Sequence, residues 1–417
     1  MSTRPLLLLA AVLALLPLAA TAGAAEYVPG EVVVGHHDGT VRTVDTGEGQ
    51  SVAQAISKLR RHSKVAYAVP NYVAHAAQFT PDDPYLRKQW NFIGQYGIGM
   101  REAWALAAAA GAPGGSGATV AVVDSGVAYE DHGQFKRDPD LHRSTFVHPW
   151  DFVGRDGHPN DRYGHGTHVA GTIAQATNNA FGVAGAAYGV NIMPLKVLDD
   201  YGEGDSLKIA KAIRFGARHG ADVINLSLEF DHRVVASEIP EIISAIRYAH
   251  SRGAVVVAAA GNDYGKPYER RVAYPARAGD VIAVGATTRH GCRAQYSSYG
   301  SDLDVVAPGG GVDSAPSARQ ENLLCRPETP GSWIFQVTFL GESVREFGLP
   351  PSYEGTSMAS PHVSAIAALL IATHRLGDHP TPEAVQARIE QTARDLGRPG
   401  FDSRYGWGLV NAAAALG

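Results

Sequence analysis

Four short segments hold residue types that together could cleave an acyl bond. The run TVAVVDSG (119–126) ends an apolar stretch on the carboxylate of Asp124, and AAAGN (258–262) ends another on the carboxamide of Asn262. The runs GHGTHVAGT (164–172) and GTSMASPH (355–362) open helical stretches with the imidazole of His165 and the hydroxyl of Ser357. A serine hydroxyl is a weak nucleophile and needs a base to take its proton. An imidazole titrates near neutrality, so it can accept that proton and return it to a leaving amine. A buried carboxylate fixes the imidazole tautomer and stabilises the imidazolium. Negative charge then develops on the attacked carbonyl oxygen, which calls for donors already aimed at it. The Asn262 amide is one candidate. The Ser357 N–H is another, being unpaired at a helix start where the dipole favours negative charge.

These groups must be brought together by the elements that carry them. Short runs of Val, Ile and Ala are expected as strands at 119–123, 191–197, 222–228, 254–260, 281–284 and 304–306. Helical patterns fall between or after them at 165–176, 206–219, 238–252, 357–374 and 381–392. Near-continuous apolar strands alternating with helices predict an α/β fold, a mostly parallel doubly wound sheet with helices on both faces. In such sheets sites form beyond the carboxyl ends of strands, where Asp124 and Asn262 fall. Residues 26–77 read as a separate small α/β unit, with a strand at 31–34, a helix at 51–62 and a strand at 65–73. Residues 309–353 hold five prolines and no clear period, as expected of a long surface insertion or hairpin. No internal repeats are found.

The 417 residues, 45% hydrophobic and 18% charged, describe a globular chain with a large core. A net charge of -5 and the lack of a basic block with interleaved aromatics argue against nucleic acid as a partner. Arg4, the apolar run from Leu6 to Leu16, and the A-x-A site Ala22 to Ala24 read as a secretory signal over 1–25. That run falls short of the ~20 residues of a spanning helix, so a membrane anchor is the lesser reading. A soluble, monomeric, extracellular or periplasmic product is expected. Cys292 and Cys325 are the two cysteines; one disulfide or two buried thiols fit equally.

The blocks VVDSG, GHGTHVAGT and GTSMASPH, in that order, resemble the signature segments of the subtilisin-like serine peptidases, the thermitase and subtilisin branch in particular. AAAGN resembles the oxyanion-hole segment of that family. The likeness spans 26–417, more weakly over the first fifty residues. It implies Ser357 as nucleophile, His165 as general acid and base, Asp124 as its orienter, and Asn262 with the Ser357 N–H as oxyanion hole. His168 and His362, within the same blocks, read as structural. A secreted binding protein that kept the fold and lost activity is the rival. An esterase of the G-x-S-x-G kind fits less well, because Ala359 stands where the second glycine would be.

The same resemblance implies protein or peptide substrates, held as an added strand between Gly202–Gly204 and Ser227, Leu228 and Glu229. It puts Ala273 at the floor of the P1 pocket and Ala260 and Gly261 at its wall. Glu229 and Phe230 stand where the family usually has glycine. The carboxylate could favour basic P1 residues or turn to solvent. Residues 177–183 resemble the family's calcium loop. The implied oxygens are the side chain of Asn179, the carbonyls of Thr177, Phe181 and Val183, and the carboxylates of Asp140 and Asp83. An ordinary Asn-rich turn is the alternative. No organic cofactor is needed. Residues 26–77 resemble the family's inhibitory propeptide, a partner of its own enzyme, with an expected cut after Ala77 and a catalytic domain over 78–417.

Overall fold

The structure is a computed structural model, and it describes residues 27–47, 49–72, 79–263, 265–266, 269–314, 325–327 and 331–417. The expected leader and the expected cut after Ala77 lie outside these residues. The chain divides into two compact units between Ala76 and Ala77.

The smaller unit comprises β1 (Tyr27–His36), β2 (Val41–Asp45), α1 (Val52–Leu59) and β3 (Val65–Tyr72). Its sheet has the order β2-β1-β3, both pairs antiparallel. Ser51 caps α1 by accepting Gln54 N–H, and the Gln54 side chain returns to Ser51 N–H. Val52 and Ala55 on the helix meet Val32, Val34 and Ala68 on the sheet, a core of modest size. The sequence hides β2: its residues VRTVD are almost all solvent-facing and show no buried face.

The larger unit runs α2 (Trp90–Ile93), α3 (Met100–Ala109), β4 (Thr119–Asp124), β5 (Thr145–Phe146), β6 (Trp150–Asp151), α4 (His165–Ala174), β7 (Asn191–Lys196), α5 (Ser206–Arg218), β8 (Val223–Leu226), α6 (Pro240–Ser251), β9 (Val255–Ala259), β10 (Ile282–Thr287), β11 (Val305–Pro308), β12 (Thr338–Phe339), β13 (Phe347–Gly348), α7 (Thr356–Ala372), α8 (Pro382–Gln391) and α9 (Ala412–Leu416). Its main sheet has the order β11-β10-β9-β8-β4-β7-β5, with β6 also on β7, and the pairs are parallel. Both faces are covered, as the unbroken apolar strands demand. Along β4, Val120 and Val122 join the core with α3, α4 and α7, while Ala121 and Val123 join the core with α5 and α6. Strand order reverses at β4, which has β7 on one side and β8 on the other. That reversal opens a crevice at the carboxyl end of β4, and Asp124 is its last residue.

Of the two readings of 309–353, insertion or hairpin, the structure has a short hairpin, and the stretch is partly buried rather than wholly on the surface. Its described part contains the antiparallel pair β12–β13 and buries Ile334, Gln336 and Thr338. It packs on α4: His168 Nε2 lies 2.9 Å from the Ile334 carbonyl, and Tyr353 stacks on His168 with ring centroids 4.1 Å apart. Cys292 and Cys325 are joined by a disulfide.

Candidate active site

Asp124 leaves the end of β4 fully buried, where it accepts the Ser125 N–H at 2.7 Å. His165 begins α4, and its Nδ1 lies 2.8 Å from Asp124 Oδ1. The helix can approach this closely because position 166 is glycine; a methyl there would collide with the Gly126 carbonyl and crowd the Asp124 side chain. Burial disfavours a charged His165 ring. The charge of Asp124 and its hydrogen bond outweigh that, so the imidazole is raised above its ordinary value.

Ser357 lies in the first turn of α7, where backbone N–H groups have no acceptor within the helix. Its hydroxyl donates to the Ser227 carbonyl at 3.1 Å, so the proton is engaged with the neighbouring segment rather than with His165. Ser227 anchors α7 in return, its Oγ donating to the Ser357 carbonyl at 2.8 Å. Asn262 follows β9, and its Oδ1 accepts the Thr356 N–H at 2.9 Å and the Thr356 hydroxyl at 3.2 Å. With its oxygen thus held by Thr356, the NH2 is the end of the amide left for other partners, the Glu229 carboxylate among them.

His165, Ser357, Gly202, Gly204, Ser227, Leu228 and Glu229 line one open cavity of about 540 Å³. Leu198, Ile209 and Phe230 make one part of it apolar. Ala260, Gly261 and Ala273 are buried, with Ala273 N–H donating to the Ala260 carbonyl at 2.9 Å. Glu229 is an exposed residue, yet its carboxylate does not simply turn outward: its Oε2 accepts the Asn262 N–H at 2.9 Å. Burial raises this carboxyl, while the Asn262 N–H pulls it back.

His168 and His362 are buried and held neutral. Burial pushes them down to about 3 and about 4. Their partners are backbone carbonyls and the Asn91 amide, which is a structural role.

Sequence reasoning missed Asp161. Its Oδ1 accepts the Ser125 hydroxyl at 2.9 Å and the Gly164 N–H at 3.0 Å; its Oδ2 accepts the Thr167 N–H and hydroxyl at 3.0 and 2.7 Å. One buried carboxylate therefore ties the segment after Asp124 to the start of α4. A capping-type residue shortly before a helical block was the available signal. Lys196 was also missed: it ends β7 buried, with Nζ donating to the Ser125 carbonyl at 2.6 Å.

Among the implied calcium residues, Asp83, Asp140 and Asn179 come together at the 177–183 loop. Asp83 accepts Asn178 N–H at 2.9 Å, and Asp140 accepts Val183 N–H and the Asn179 amide, each at 2.9 Å. Burial pushes Asp140 up to about 7, and the Asp83 charge adds to the rise. The two buried carboxylates beside this loop are donors of the kind a hard cation takes, and its charge would relieve that repulsion.

The subtilase family profile matches residues 115–408. The chain is 36% identical over 341 residues to thermitase from Thermoactinomyces vulgaris, covering 81% of this chain and 99% of thermitase. It is 35% identical over 356 residues to a thermophilic serine proteinase of Bacillus sp. strain AK1, covering 85% of this chain and 74% of that protein. Among solved structures, a protease of Pseudoalteromonas arctica aligns with TM-score 0.63 and 31% identity over 81% of this chain and 99% of its own. With this fold and these matches, the chain belongs to the subtilase family and is a serine peptidase.

Proposed function

We propose that this chain is a secreted endopeptidase, made as a precursor, that cuts peptide bonds through an acyl-enzyme on Ser357. The observation that carries this is the 2.8 Å contact between His165 Nδ1 and Asp124, at the edge of the cavity that Ser357 also lines. With Nδ1–H held by the carboxylate, Nε2 is the ring atom left to accept a proton. His165 takes the Ser357 proton as the hydroxyl adds to the scissile carbonyl. The resulting oxyanion is received by the Asn262 NH2 and the Ser357 N–H. His165 then gives its proton to the leaving amine, and a water attacks the acyl group by the reverse sequence. The substrate backbone lies between Gly202–Gly204 and Ser227–Glu229.

Calcium, when bound, supplies structural rather than chemical support. Asp83, Asp140 and Asn179, with carbonyls from Thr177, Phe181 and Val183, would hold it and pin the 177–183 loop to the segment around Asp83. Secretion and processing rest on the leader-like 1–25 and on the division of the chain between Ala76 and Ala77. Among the described residues no helix is long and apolar enough to cross a membrane. A serine-directed phosphonofluoridate tests the central claim. Stoichiometric labelling of wild type at Ser357, and none of Ser357→Ala, is expected. Folded wild-type protein that takes no label would favour a binding protein that lost activity.

A further inference from the structure

Glu229 and His232 occupy space that a glycine-lined site would leave open. A methyl built on Gly261 would meet Glu229 Oε2 at 2.6 Å and His232 Cε1 and Nε2 at 3.0 Å. His232 is held in place: it is buried, its Nδ1 contacts the Asp263 carboxylate, and its Nε2 lies 3.3 Å from Ser298 Oγ. Ser298 N–H in turn donates to the Gly261 carbonyl at 2.9 Å. The segment carrying Glu229 is stitched to the opposite side as well, Phe230 N–H donating to the Tyr274 carbonyl at 2.7 Å.

We propose that Glu229, with His232 beside it, is a strut across the P1 site: it positions the Asn262 peptide and restricts P1 to small side chains such as alanine. This rests on the reading of Ser357 and Asn262 above and of Gly261 and Ala273 as the bounds of the P1 site. The link to turnover is direct. Asn262 is fixed from two sides, through Oδ1 by Thr356 and through its backbone N–H by Glu229. Removing the second hold frees the peptide whose amide must meet the oxyanion, a group used only in the transition state. The link to selectivity is steric. The carboxylate and the imidazole cover Gly261, so a large P1 ring would have to displace two side chains, one held by the Asn262 N–H and the other by Ser298 and Asp263. Glu229 is thus a positioning and specificity residue, acting on Asn262 and on the P1 group.

The test is a P1 series of mature enzyme on succinyl-Ala-Ala-Pro-X-p-nitroanilides, X being Ala, Leu, Phe or Lys, with wild type, E229G and E229Q. Wild type should favour Ala over Phe by at least about tenfold in kcat/KM. E229G should raise Phe relative to Ala by at least about tenfold and lower kcat on the Ala substrate about three- to tenfold, with KM little changed. E229Q, whose amide oxygen can still accept the Asn262 N–H, should recover most of that kcat and keep the small-residue preference. A wild type that prefers Phe or Leu, or an E229G profile that superimposes on wild type, overturns the strut. So does a Lys preference that E229G abolishes, which would make the carboxylate an anchor for basic P1 residues. A wild type inert to the whole series, and unlabelled by phosphonofluoridate, overturns the peptidase reading and this inference with it.

Discussion

Replacing Asn262 with alanine removes the side-chain donor of the proposed oxyanion hole, and the structure says what else it removes. The Asn262 oxygen accepts both the N–H and the hydroxyl of Thr356, a fully buried residue at the start of α7. Loss of the donor should lower kcat by about 10²–10³, equivalent to about 2.7–4 kcal/mol; removal of the corresponding donor in subtilisin, a relative, sets that scale. Leaving the Thr356 N–H buried without an acceptor should cost a further ~1–3 kcal/mol of stability. Asn262→Asp separates the two effects. It keeps an acceptor for Thr356 but offers no donor, and it adds negative charge where negative charge must develop. Its melting temperature should therefore exceed that of Asn262→Ala, while its kcat falls at least as far. Steady-state kinetics on an Ala-P1 anilide, with thermal unfolding of each variant, give both numbers. An Asn262→Ala enzyme with kcat within about threefold of wild type would refute the oxyanion assignment, whatever its stability.

Ser357→Ala should abolish turnover and, expressed alone, accumulate with residues 26–77 attached; intact mass and N-terminal sequencing would show this, and a mutant trimmed near Gln78 without added wild type would exclude self-processing. The acidic limb of kcat/KM should have its midpoint above the usual imidazole value of about 6.5, because Asp124 raises His165; Asp124→Asn should move the limb down. The associated stability has the sign of a raised histidine: complete below the unfolded-state pKa and lost as pH rises through the folded one, readable by denaturant titration across that window. EDTA should lower the unfolding midpoint, and calcium should restore it in a concentration-dependent way; a midpoint that EDTA leaves unmoved would count against the 177–183 site. Cys292 and Cys325 lie 33 residues apart, so the disulfide should contribute about 3–4 kcal/mol through the loop it closes, measured as the loss in Cys292→Ser/Cys325→Ser.

The residues proposed to carry the chemistry were legible because they sit at element ends inside long motifs, and the parallel sheet was legible because its strands are apolar on both faces. Strand and helix limits shifted by a residue or three, as at 223–226 and 240–251, where ends depend on hydrogen bonds and not on pattern. Beyond the helix at 100–109, whose apolar face was passed over, most of what escaped was short, exposed or held by distant partners. β2 and the two-residue strands β5, β6, β12 and β13 are too short or too exposed to show a period. Asp161 and Lys196 serve the site through partners on other segments, which no local window contains. The charge of Glu229 was visible, but its direction was set by Asn262 N–H, thirty-three residues further on.

The parallel order of the main sheet also bears on how the larger unit comes into being. β4, the strand on which Asp124 sits, is flanked by strands that begin 72 and about 103 residues later, as the Thr119 contacts to Asn191 and Asp222 record. No hairpin nucleates this centre, so chain must be closed over long loops before the first central contact is rewarded. Such a topology has a high contact order, and its acquisition should be slow even where the product is stable. For the larger unit refolded from denaturant, seconds or longer is the expected scale, with partly collapsed chains exposing the apolar strands β8 and β9 to one another's copies in the meantime.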